Sequence, residues 1–74
     1  MKLLVIDDEL GLRQSLCLIL TDEGHDVAAA ADGAQGLETA LGAPFDVILC
    51  DVRMPAMDGL EFLQRYRAAG GSAL

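Results

Sequence analysis

Three times along the chain a short apolar run gives way to a stretch in which apolar residues recur every three or four positions. Leu3-Leu4-Val5-Ile6 is the first such run. Continuous apolar runs of this length suit parallel strands covered on both faces. The following stretch places Leu12, Leu16, Ile19 and Leu20 on one helical face, with Gly24 as its stop, so the pattern predicts a helix over residues 10–23. Val27-Ala28-Ala29-Ala30 reads as a second strand whose small side chains suit a sheet edge. Asp32 is positioned to cap a helix starting near Gly33, with Leu37, Ala40 and Leu41 facing inward and Gly42 and Pro44 ending it. Val47-Ile48-Leu49-Cys50 is the third strand, and a loop over residues 51–57 follows. Asp58 is a credible cap for a third helix that buries Phe62, Leu63 and Tyr66 and stops at Gly70-Gly71. Strands alternating with helices at this spacing predict an α/β fold: a parallel sheet with right-handed crossovers.

Open sheets of this kind place their chemistry beyond the carboxyl ends of the strands. Asp7 and Asp8 stand at that end of the first strand, and Asp51 stands at that end of the third. If the two strands are neighbours, three carboxylates converge. Two carboxylates about 4 Å apart repel by about 4 kcal/mol at an effective dielectric near 20, so such a cluster needs a counter-charge. Mg²⁺ supplies it well, taking oxygen ligands from one or two carboxylates and a phosphate. A carboxylate can also act as a nucleophile and form an acyl phosphate, and Asp51, opening the loop after a rigid strand, is best placed to attack. The plainer alternative is that Asp7-Asp8 caps the first helix and Asp51 opens a turn, both common duties of aspartate. The coincidence of the two at matching strand ends argues for the site. Met54-Pro55 and Asp58-Gly59 stiffen the same rim, since Pro55 fixes its own φ and biases Met54 away from helix.

Composition narrows the picture. Seventy-four residues allow one small domain, and 53% hydrophobic content excludes a disordered chain. Phe45, Phe62 and Tyr66 are the only aromatics, so the core rests on Leu, Val, Ile and Ala. A net charge of −7 argues against direct nucleic-acid contact and is compatible with a cation site. Cys17 and Cys50 lie in apolar runs and read as small buried core residues, a usage that fits a reducing cytoplasm. The first apolar run is too short for a signal peptide, and no stretch reaches membrane-spanning length. His25 reads as a solvated loop residue, Met54 and Met57 as packing over the site loop, and Arg65 and Arg67 as complements to the third helix's dipole. Gly33 and Gly36 do not follow a phosphate-loop pattern.

Leu4-Val5-Ile6-Asp7-Asp8-Glu9, then Asp51-Val52-Arg53-Met54-Pro55, then Met57-Asp58-Gly59-Leu60 together resemble the receiver domain of two-component response regulators. The resemblance runs through all 74 residues. It implies a partial flavodoxin-like fold with three parallel strands in order 2-1-3 and helices on both faces. It implies Asp51 as phosphoacceptor, Asp8 and Asp51 as direct Mg²⁺ ligands, the main-chain carbonyl of Arg53 as another, and Asp7 acting through water. The donor would be a phosphohistidine on a sensor histidine kinase or phosphotransfer protein, in the cytoplasm, and the Asp-Val-Arg-Met-Pro wording resembles receivers attached to transcriptional activators. Such a domain signals and is no enzyme in the usual sense, although receivers catalyse much of the transfer and hydrolyse their own phosphate.

Receivers have five strand–helix units, whereas residues 1–74 supply three. The family's switch Thr or Ser and its phosphate-pairing Lys have no counterpart; the one lysine is Lys2. Two expectations follow: this chain does not switch in the usual way, and its third strand is an open edge that favours self-association, by edge pairing or by exchange of elements. An alternative function is therefore a phosphate-independent assembly or interaction scaffold. A phosphatase with an Asp nucleophile is disfavoured, because Arg53 stands where a second catalytic carboxylate would follow Asp51 by two positions.

Overall fold

A computed structural model describes residues 1–74. The elements alternate as β1 (Lys2–Ile6), α1 (Leu10–Asp22), β2 (Asp26–Ala30), α2 (Gly33–Gly42), β3 (Val47–Cys50) and α3 (Gly59–Ala68). All strands are parallel, in the order β2-β1-β3. Leu3 pairs with Val27 on one side and Val47 on the other, and Ile6 with Ala30 and Cys50, so the carboxyl ends of β1 and β3 are level. The fold class and strand order agree with the reading of the sequence, and β2 is indeed an edge.

Strand periodicity sorts β1 onto two faces. Leu4 and Ile6, both 0% exposed, join Ala30, Ala40, Met54, Phe62 and Tyr66 in the core beneath α2 and α3. Leu3 and Val5 are also buried, on the face that α1 crosses. Burying each large side chain of β1 contributes about 1.5–3 kcal/mol, which makes this strand the anchor of the fold. α2 packs close because Gly36 has no side chain: a Cβ there would lie 2.5 Å from Ile6 Cδ1.

The two helical layers are covered unequally, which corrects several sequence-based expectations. No residue of α1 is buried, and of its expected inward face Leu12 and Ile19 are exposed while Leu16 and Leu20 are half-buried. α1 lies on its own over a three-stranded sheet, without a second helix beside it to close the face. On the other face α2 and α3 pack side by side, yet Leu41 and Leu63, expected inside, are exposed; Ala40, Phe62 and Tyr66 are buried as expected. Cys17 and Cys50 are half-buried rather than buried, because Cys17 belongs to the uncovered helix and Cys50 to the outer strand.

The helix ends follow the sequence closely. Asp32 Oδ1 accepts from the Gln35 N–H (2.8 Å) and Asp58 Oδ1 from the Glu61 N–H (2.8 Å), capping α2 and α3. Gly24 and Gly70, both at φ 93°, terminate α1 and α3 in the left-handed region. Past α3 the chain doubles back. The Ala73 N–H donates to Tyr66 Oη (3.0 Å), and Arg67 donates to the carbonyls of Gly71 (2.9 Å) and Ala73 (2.6 Å). Arg67 thus grips the returning chain, beyond the dipole role expected of it, and Arg65 pairs with Glu61 at 2.9 Å. Leu74 consequently reaches β3, donating to Asp46 O (3.1 Å) and accepting from the Ile48 N–H (2.7 Å). The outer edge of β3 is therefore met at its first rung by Leu74 and carries no strand farther along, at Cys50.

Candidate functional site

The level ends of β1 and β3 decide the site. The Asp7 N–H donates to Ala30 O (3.2 Å) and the Asp51 N–H to Ile6 O (2.9 Å), so both aspartates leave the sheet directly from its hydrogen-bond ladder. One carboxylate oxygen from each of Asp7, Asp8 and Asp51 lies within 4.8 Å of the others. Asp7 is 5% exposed, Asp51 half-buried and Asp8 exposed, so the group grades from the core outward to solvent.

Glu9, not the acidic pair, caps α1. Its Oε1 accepts from the Gly11 N–H (3.0 Å) and its Oε2 from the Leu12 N–H (2.6 Å). The capping duty that the plainer alternative gave to Asp7-Asp8 thus falls to their neighbour, while the turn it gave to Asp51 is present. Asp7 Oδ1 accepts from the Glu9 N–H (2.9 Å). The Arg13 guanidinium donates to the Asp7 carbonyl oxygen (2.7 Å). Sequence reasoning missed both Glu9 and Arg13: glutamate is not a favoured cap type, and a contact six residues along falls outside the helical i+3 and i+4 spacings.

Asp51 Oδ1 accepts from the Arg53 N–H (3.2 Å), the one protein hydrogen bond to this carboxylate, and leaves Oδ2 open. Arg53 itself is exposed. The loop beyond is fixed at two places. The Gly59 N–H donates to Val52 O (3.0 Å), and a Cβ on Gly59 would stand 2.8 Å from the Asp51 carbonyl oxygen. Met54 is buried, and Met57 fills the space over Gly33, where a Cβ would come within 2.8 Å of Met57 Cβ. Both methionines thus pack against the fold at the site loop, in the packing role the sequence suggested. Ala56 turns at φ 68°, an uncommon conformation for a residue with a side chain.

Burial pushes the Cys50 thiol up from 9.0 to about 11, and the charges of Asp51, Asp7 and Asp58 add to the effect. The neighbouring thiol thus stays protonated and is a poor nucleophile. His25 sits at the opposite end of the sheet, with its Nδ1 3.2 Å from the N-terminal amine, away from the acidic rim. Hard oxygen donors without histidine or thiolate suit Mg²⁺ and disfavour soft metals, so the residues present fit that ion.

The strand order and the acidic rim together define a doubly wound α/β domain with its site beyond the carboxyl ends of the strands, at the topological switch point. The family profile of the response regulator receiver domain matches residues 3–73. The transcriptional regulatory protein DltR of Streptococcus agalactiae is 40% identical over 70 residues, covering 95% of this chain and 31% of that protein. Sporulation initiation phosphotransferase F of Bacillus subtilis is 36% identical over 66 residues, covering 89% of this chain and 53% of that protein. Among solved structures, chemotaxis protein CheY4 of Vibrio cholerae superposes with a TM-score of 0.88 at 45% identity, over 90% of this chain and 56% of that one. The response regulator TrrA of Thermotoga maritima, in complex with Mg²⁺ and BeF, gives 0.87 at 30% identity, over 93% and 60%. The chain belongs to the response regulator receiver domain family, and it spans about a third to a half of the length of these curated relatives. No helix is long and apolar enough to cross a membrane.

Proposed function

We propose that this chain accepts a phosphoryl group on Asp51 from a phosphohistidine of a sensor kinase or phosphotransfer protein, with Mg²⁺, in the cytoplasm. The meeting of three carboxylates within 4.8 Å carries this reading. Asp8, Asp51 and the Arg53 carbonyl are assigned as metal ligands, with Asp7 acting through water. Mg²⁺, when bound, supplies positive charge that offsets the carboxylates and the transferring phosphoryl oxygens. The chain's own groups do the rest. The Arg53 N–H holds Asp51 Oδ1, so Oδ2 is the oxygen presented to the donor. It bonds to phosphorus as the phosphorus–nitrogen bond of the donor breaks, and the product is an acyl phosphate.

We assign to residues 1–74 three strand–helix units that hold the acceptor and the metal seat. The conformational switch is not assigned to them, since Lys2, the one lysine, opens β1 at the end away from Asp7. Titration with Mg²⁺ and beryllofluoride, followed by amide resonances, tests the reading. Saturable shifts centred on Asp8, Asp51 and Arg53, abolished by Asp51→Asn, are expected; an identical response from the variant would overturn it.

The open edge of β3 at Cys50 favours a second reading, an assembly module. Exposed Leu60 and Leu63 border a groove of about 430 Å³ beside that edge. A second copy of the chain is the occupant this reading proposes. Light scattering on the wild type and Asp51→Asn checks it: the module requires a dimer in both, and a monomer at high concentration excludes it.

A further inference from the structure

We propose that Arg13 is a positioning residue for the metal seat, acting through the peptide that joins Asp7 to Asp8. The proposal rests on the reading of Asp8 and Asp51 as Mg²⁺ ligands. Asp7 is tied down at its N–H by Ala30 O, at its carboxylate by the Glu9 N–H, and at its carbonyl by Arg13 alone. That carbonyl belongs to the peptide leading into Asp8, whose carboxylate accepts no hydrogen bond from the protein. The orientation of Asp8 therefore depends on that peptide plane, and Arg13 holds it at 2.7 Å.

The choice of acceptor is informative. Three carboxylates lie at this rim, yet the one ion pair in the molecule is Arg65–Glu61, so the Arg13 guanidinium bonds a neutral carbonyl and leaves the acids free. A guanidinium clasping a carboxylate would compete with the cation. A carbonyl anchor fixes geometry without occupying a ligand oxygen. Half-burial of Arg13 and its place in the first turns of α1 further restrict the arm.

Position and charge act in opposite directions, which makes the proposal decidable. Removing a positive charge near the seat strengthens cation binding by electrostatics alone. Losing the anchor weakens it, by about tenfold on the scale of groups that hold metal ligands in place. Arg13→Met and Arg13→Lys are compared with wild type by calorimetric Mg²⁺ titration, after thermal unfolding shows each variant cooperatively folded. Exchange of the Glu9 amide is measured in metal-free protein as a second readout of the turn, and Arg13→Lys, which keeps the charge, separates position from electrostatics there. The positioning role requires weaker Mg²⁺ binding and faster Glu9 exchange in Arg13→Met, with Arg13→Lys near wild type in both. Binding by Arg13→Met that equals or exceeds wild type, with Glu9 exchange unchanged, overturns it. If wild type itself binds no Mg²⁺, the metal reading fails, and Glu9 exchange alone then decides whether Arg13 fixes the turn.

Discussion

Replacing Asp51 by asparagine should stabilise the metal-free protein. At the 4.8 Å limit of the cluster, each carboxylate pair repels by about 0.9 kcal/mol in water and about 3.5 kcal/mol at an effective dielectric of about 20. Asp51→Asn removes its pairs with both Asp7 and Asp8. The pair with buried Asp7 lies toward the upper value and that with exposed Asp8 toward the lower. Asparagine keeps an Oδ1 for the Arg53 N–H, so the one hydrogen bond to this side chain survives. Partial relaxation and salt reduce the sum, and a net gain of about 2 kcal/mol is a fair expectation. For a domain of this size that raises Tm by about 8–16 °C. Thermal unfolding followed by far-UV circular dichroism, in chelator at low salt, measures it. On the proposed metal reading, magnesium at about 100 times its Kd should stabilise the wild type by about 2.7 kcal/mol and close the gap. A variant that melts at or below the wild type in chelator would refute the claim that these oxygens crowd one another.

Gly59→Ala should destabilise the fold by about 1–3 kcal/mol, because the new Cβ meets backbone, the Asp51 carbonyl oxygen at 2.8 Å, and backbone there cannot swing aside; urea unfolding gives the value. Glu9→Ala removes both capping bonds of α1 and should cost about 1 kcal/mol, read by the same method. Cys50, its thiol pushed up to about 11, should resist alkylation at pH 8–9. Because the folded thiol ionises above its ordinary value, any stability it lends is present below pH 9 and lost as pH rises toward 11. Asp51→Asn, by removing the largest of the charge contributions, should let Cys50 react at lower pH; mass spectrometry of the alkylated protein follows both forms.

Apolar runs and capping aspartates made most of the architecture readable in the sequence. β3 falls on the four residues expected, and Asp32 and Asp58 cap the helices they were expected to cap. The convergence of Asp7, Asp8 and Asp51 was also legible, because it follows from parallel neighbours ending level. Exposure was harder to read. Periodicity marks the face a helix offers, not how fully that face is covered, and Leu12, Ile19, Leu41 and Leu63 are exposed. The roles of Glu9, Arg13 and Arg67 escaped because each depends on a particular carbonyl or amide brought near by the turn. Such partners have no signature in residue type.

Gly33 offers Met57 a socket at the start of α2. The loop over residues 51–57 is therefore plugged into a helix that carries none of the three rim aspartates. Anything that shifts the loop must either pull the plug or drag the helix along. A purely steric linkage thus runs from the aspartate rim to the amino end of α2, and it is expected to be insensitive to ionic strength.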